Sequence, residues 1–288
     1  MNTFHYYPPR LLNNVVFVLL LAAFLCFLHA WGHTAWNWWM DSMGLGVFIV
    51  VVGFAFYLAV FWILGALYLL LNHYQKPLFL YRYKIQEVPP SRQGRKPKVP
   101  LSKSIKQVLI NQFLGTWPYL FGVYLLLVWM GYDEEIPIPS WWVAILQLLG
   151  LVLVEDVLFF AMHHTMHRPW FFRRYHAKHH EYKESIAIAT HYVHYVEHIF
   201  GNLTPVFAGV LLLQPHPFVV LFWIMIVVMN ALHTHSGFAF PWMSYSVHHD
   251  WHHHYVNGSF SAVGLMDQLF GTDKAFDEQK RKYKASVL

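Results

Sequence analysis

Apolar positions dominate the first half of this 288-residue chain as uninterrupted runs rather than as stripes. Runs over roughly residues 14–31, 44–71, 108–130 and 141–162 match the ~20 residues that a spanning helix needs. Two shorter runs, 199–213 and 217–232, flank Gln214-Pro215-His216-Pro217, a spacing that predicts a tight hairpin, spanning or re-entrant. Alternation of period two is scarce. The predicted fold is therefore all-α: an integral membrane helical bundle of about four long spanning helices plus the short hairpin. Residues 1–162 read as the membrane anchor and 163–288 as the part that carries chemistry.

Charge gives the bundle a direction. Residues 72–106 carry nine Lys or Arg against the single acid Glu87, whereas the loop 131–140 has Asp133, Glu134 and Glu135 and no base. The positive-inside rule places the first loop in the cytosol and the second across the membrane. The run 141–162 then returns to the cytosol, and the C-terminal half follows on that side. The basic residues read as topology, and no nucleic-acid motif accompanies them. Cys26 is the only cysteine, which excludes an internal disulfide and any Cys-based zinc or iron–sulfur site. The N-terminal apolar run lacks a clear cleavage site and is expected to be a retained helix.

Candidate chemistry rests on histidine. Seventeen of the 21 histidines lie between His163 and His254, in the spacings His163-x-x-x-His167, His176-x-x-His179-His180, His194-x-x-x-His198 and His249-x-x-His252-His253. Positions i, i+3 and i+4 share a helix face, so each group is expected to aim its imidazoles at a common point. Neutral imidazole suits zinc, copper, iron and nickel. Eight to ten histidines exceed the needs of one ion and imply two. His164, His248 and His254 neighbour these positions but point elsewhere. At most one or two of His191, His194 and His198 need bind metal, and only one of His233 and His235. Asp156 lies about 20° around a helix from both His163 and His167 and is expected to orient a ligand histidine, while Glu155 points about 80° away.

Such a site permits two classes of enzyme. An imidazole shell beside lipid suits oxygen chemistry on an apolar substrate. A zinc hydrolase would want a His-Glu-x-x-His arrangement, which does not occur. A transporter would place histidines in mid-membrane, and the first three runs contain only His29, near one end.

The ordered series Glu155-Asp156, His163-x-x-x-His167-Arg168, His176-Ala177-Lys178-His179-His180-Glu181, His194-Tyr195-Val196-Glu197-His198, His235-Ser236-Gly237-Phe238 with Pro241-Trp242, and His248-His249-Asp250-Trp251-His252-His253 resembles the fatty acid hydroxylase superfamily. The ending Asp267–Asp273 and the upstream Tyr83-Lys84-Ile85-Gln86 are similar too, so the resemblance covers roughly residues 80–275. Its nearest branches are the C4-methylsterol oxidases, with their fatty-acid-hydroxylase-domain relatives, and sterol 25-hydroxylase. The resemblance implies an endoplasmic-reticulum oxygenase with two non-haem iron ions, which zinc can replace in purified samples. It implies O2 and NAD(P)H as co-reactants, with electrons arriving through cytochrome b5 and its reductase. A sterol or fatty acyl chain would be hydroxylated, further oxidised or desaturated. The implied ligands are His163, His167, His176, His179, His180, His194, His235, His249, His252 and His253.

Overall fold

The computed structural model describes residues 14–86, 99–243 and 246–287, with side chains to residue 282. The basic residues Arg92, Arg95, Lys96 and Lys98, the acid Glu87 and the side chain of Lys284 lie outside the described residues. Among the described residues thirteen α-helices, several of them single turns, and six short π or 3-10 segments account for the regular structure, and no strand forms.

The membrane part is built from α1 (Val15–Val47), α2 (Gly53–Tyr74), α4 (Leu101–Ile110), α5 (Trp117–Trp129), α6 (Trp141–Met166), α9 (Thr204–Leu213) and α10 (Pro217–His235). Short helices α3 (Leu78–Tyr81), α7 (Pro169–Phe171) and α8 (Tyr195–Glu197) connect them. The last three, α11 (Ser246–Tyr255), α12 (Leu265–Phe270) and α13 (Lys274–Val287), follow α10. Among the described residues five helical stretches are long and apolar enough to cross a membrane, and the first, residues 15–74, is itself broken. Gly44 adopts φ 73°, ψ 166°, a conformation that glycine takes without a Cβ penalty, and the helix cannot run through it. The chain reverses there. Phe24 stacks on Phe222 and Trp36 meets Phe218, so α1 runs against α10. Gly65 of α2 sits beside Leu232 and Tyr68 reaches His233, so α2 runs with it.

Cross-links at the turns show which loops share an end. The Glu134 carboxylate accepts from Leu45 N–H at 2.9 Å, and Tyr132 O–H donates to the Pro215 carbonyl at 2.6 Å. The Gly44, 131–140 and 214–216 turns therefore lie together, and the hairpin of 199–232 reaches that far end rather than stopping midway. At the other end Gln86 donates to Asp250 at 2.6 Å and Lys103 pairs with Glu181. Large apolar side chains such as Leu114, Leu146, Leu149 and Leu212 face outward, as a lipid-solvated bundle requires. Phe61, Val219 and Leu232 are fully enclosed in the core.

Candidate metal centre

Each histidine motif meets the centre from a different element. His163 is on the last turns of α6 and His167 caps its C-terminus. His176 ends a π-helical turn, 172–176, and His179 and His180 begin a 3-10 turn. His235 is the last residue of α10, and His249, His252 and His253 ride on α11.

These nine side chains form two groups. His163, His167, His176, His180 and His252 make one, and His179, His235, His249 and His253 the other, with the ligand atoms of each within 4.8 Å of one another. The two groups adjoin, the rings of His180 and His253 being 4.8 Å apart. The expectation that each motif converges on one point is corrected here. In both H-x-x-H-H motifs the i, i+4 pair enters one group and the middle histidine enters the other. Residues i+3 and i+4 lie on opposite flanks of i around a helix, so one turn of chain can serve two adjacent sites.

The rings are held from behind. His163 Nδ1 donates to the Phe260 carbonyl at 2.8 Å, His176 Nδ1 to the Glu197 carboxylate at 2.7 Å and His235 Nδ1 to the Ala231 carbonyl at 2.8 Å. His252 Nδ1 donates to the Gly258 carbonyl at 2.6 Å, and His253 Nδ1 to the Tyr182 carbonyl at 3.0 Å. Gly258 must be glycine, because its φ is +77° and a Cβ would strike the Thr272 carbonyl. Donation at Nδ1 fixes the tautomer and leaves a lone pair on each inward Nε2.

Those inward nitrogens crowd one another. Nε2–Nε2 separations are 3.0 Å for His167–His176 and His176–His180, 3.2 Å for His179–His235, 2.8 Å for His235–His249 and 3.1 Å for His249–His253. Facing lone pairs repel unless a cation lies between them. Two nitrogens at about 2.1 Å from one ion, at right angles about it, stand about 3.0 Å apart. The buried His252 Nε2 has no hydrogen-bond partner among the described residues, as an unbonded ligand atom would. The donor sets thus fit two transition-metal ions. Burial first, and the neighbouring imidazoles second, hold His176, His179, His252 and His253 well below their ordinary pKa of 6.5, so they stay neutral and able to ligate.

The structure places two expected site residues elsewhere. His194 is in neither group. It is the extended N-cap of α8, its Nδ1 accepting from Val196 N–H at 3.1 Å, so the helical spacing to His198 does not apply. Among the described residues Asp156 bonds no histidine. It accepts from Ser261 Oγ at 2.6 Å, Val263 N–H at 2.8 Å and Met266 N–H at 3.0 Å, pinning the segment whose Phe260 carbonyl holds His163. The carboxylate that does meet a ligand is Glu197, and its only sequence signal is its place inside the His194–His198 motif. His191, His198 and His233 bond instead to Tyr57, Thr116 and Tyr68. Gln86 was also unforeseen as a support: it bonds Asp250, which burial pushes up to about 6, between ligands of α11.

A cavity of about 1360 Å³, including its open mouth, begins at His163, His176, His179, His235 and His249. It continues between α5, α6, α9 and α10, where Leu120, Val206, Phe207 and Ile224 make it apolar. Both imidazole groups thus open onto one cavity whose deeper part is lined by apolar side chains.

Comparison with known proteins agrees with this construction. Residues 148–272 match the model of the fatty acid hydroxylase family. The chain is 31% identical over 228 residues to fatty acid hydroxylase domain-containing protein 2 of Macaca fascicularis, covering 79% of this chain and 67% of that protein. It is 29% identical over 248 residues to methylsterol monooxygenase 2-1 of Arabidopsis thaliana, covering 77% and 87%. It is also 29% identical over 213 residues to very-long-chain aldehyde decarbonylase GL1-8 of Oryza sativa subsp. indica, covering 69% and 76%. No solved structure matches the chain at a significant level.

Proposed function

Because the chain belongs to the fatty acid hydroxylase family, we propose that it is a membrane-bound non-haem di-iron oxygenase acting on a C–H bond of a sterol or fatty-acyl lipid. The observation that carries this reading is the junction of two imidazole groups with one apolar cavity. His163, His167, His176, His180 and His252 would hold one iron, and His179, His235, His249 and His253 the other. Iron bound there supplies activation of O2, given electrons from outside.

The chain's own residues do the rest. The Nδ1 anchors keep the Nε2 lone pairs aimed inward, and the Glu197 carboxylate strengthens His176 as a donor. Leu120, Val206, Phe207 and Ile224 exclude water and align an apolar substrate. The chain carries no flavin, nicotinamide or haem motif, so the electrons come from a partner. Cytochrome b5 with its NAD(P)H-dependent reductase is the proposed donor, docking on basic side chains such as Arg173 and Arg174. The Lys/Arg asymmetry supports a cytosolic metal face, and the family resemblance supports an endoplasmic-reticulum membrane.

The test is turnover by the purified protein with a reductant, in air and under argon, guided by sterol and fatty-acid profiles of cells with and without it. An oxidised lipid formed only with O2 and reductant is expected. Equal product under argon would overturn the oxygenase reading in favour of hydrolysis.

A further inference from the structure

Glu155 is a carboxyl side chain that the metal site does not use. It sits within α6 in the membrane part, is 8% exposed, and lines the same cavity as the histidines. Among the described residues no donor hydrogen-bonds to its carboxyl and no cation pairs with it. Its neighbour Asp156 is committed to three bonds with the 261–266 segment, so the two acids are not interchangeable. An unpaired carboxyl within a spanning helix is costly and ordinarily marks a function.

Its position along the cavity is defined. Glu155 precedes His163 by eight residues, about 12 Å along the helix axis. Below it the cavity closes on one side, because Gly209 brings α9 to within contact of Leu151 and Val154. Leu120, Phe207 and Ile224 form the remaining floor and also line a separate cavity of about 430 Å³ beyond it. The pocket thus has apolar side chains around a hydrogen-bonding carboxyl near its floor and imidazoles at its other end, with Thr116, Asn202 and Asn230 adding neutral polar groups to its lining.

We propose that Glu155 binds the hydroxyl of a lipid alcohol and thereby presents a carbon about 12 Å away to the histidine end. The substrate is then a lipid with a polar terminus buried in the pocket, oxidised far from that terminus rather than beside it. The proposal rests on the oxygenase reading only for the identity of the reacting end; the binding site stands by itself.

The test measures binding by the purified full-length protein in phosphatidylcholine nanodiscs, read by tryptophan fluorescence. The probes are cholesterol and 1-octadecanol, each beside its methyl ether, which lacks the donor. Wild type should bind at least one alcohol roughly three- to tenfold more tightly than its ether, the effect of one buried hydrogen bond. Glu155→Leu should abolish that preference, and the near-isosteric Glu155→Gln should keep part of it. Equal binding of alcohol and ether by wild type, which needs no variant to fold, would overturn the proposal. So would a preference that survives in Glu155→Leu. Where turnover is seen, a product oxidised next to the hydroxyl refutes the 12 Å spacing. Binding without any turnover counts against the oxygenase reading alone.

Discussion

Glu197→Ala separates the two metal sites. The Glu197 carboxylate accepts from His176 Nδ1 at 2.7 Å, and both side chains are nearly inaccessible, 4% and 2% exposed. Removing it leaves a buried N–H without an acceptor and frees the ring to turn. Loss of a charge-assisted bond costs about 1.5–3 kcal/mol, in line with the about 10–100-fold loss of metal affinity that follows when a ligand's supporting carboxylate is removed. Glu197 bonds His176 and no histidine of the His179, His235, His249 and His253 group. A chelator titration should therefore release one ion about 10–100-fold more readily than in wild type and the second as before. Glu197→Gln, which keeps an acceptor oxygen, should fall between. Unchanged affinity at both sites would refute the positioning role, and loss of both ions together would refute the two-group partition.

Three further outcomes follow from the same geometry. His252→Ala should lose metal, whereas His194→Ala should retain both ions and lose only the cap on Val196, worth about 1 kcal/mol; metal analysis and thermal unfolding check both. The cluster histidines outside the spanning segments have pKa values depressed by burial, so their contribution to stability is complete above about pH 6.5 and is lost as the pH falls below it. The slope reaches about 1.4 kcal/mol per pH unit for each histidine that only the unfolded chain protonates, and a flat profile for metal-free protein between pH 7 and 5 would contradict it. Asn257-Gly258-Ser259 spells a glycosylation acceptor but follows His253 by four residues, so on a cytosolic metal face it should carry no glycan; a glycosylated Asn257 would invert the topology.

The helical membrane architecture was legible because uninterrupted apolar runs have one economical solution in lipid. The apolar pattern left 32–43 as a gap between runs, whereas α1 continues through those residues and breaks at Gly44, where the second run begins. Nine of the ten ligand positions come together because their motifs bring imidazoles into reach from α6, α10, α11 and the 172–181 turns. What spacing alone could not carry was the local conformation. His194 lies one residue before its helix begins, and in both H-x-x-H-H motifs the middle histidine joins the neighbouring group. Asp156 has the predicted phase on α6, but the 260–266 segment fills the space it faces. Glu197 reaches His176 through a fold contact that no helical period encodes.

The central claim is that this chain holds two ions, each in its own imidazole group. Quantitative metal analysis of anaerobically purified protein, with Mössbauer spectra after loading with iron-57, tests it most directly. The account predicts two irons per chain in two distinguishable environments, and zinc occupying the same two positions where iron is scarce. A stoichiometry of one, or iron that survives loss of His252 and His253 together, would contradict it.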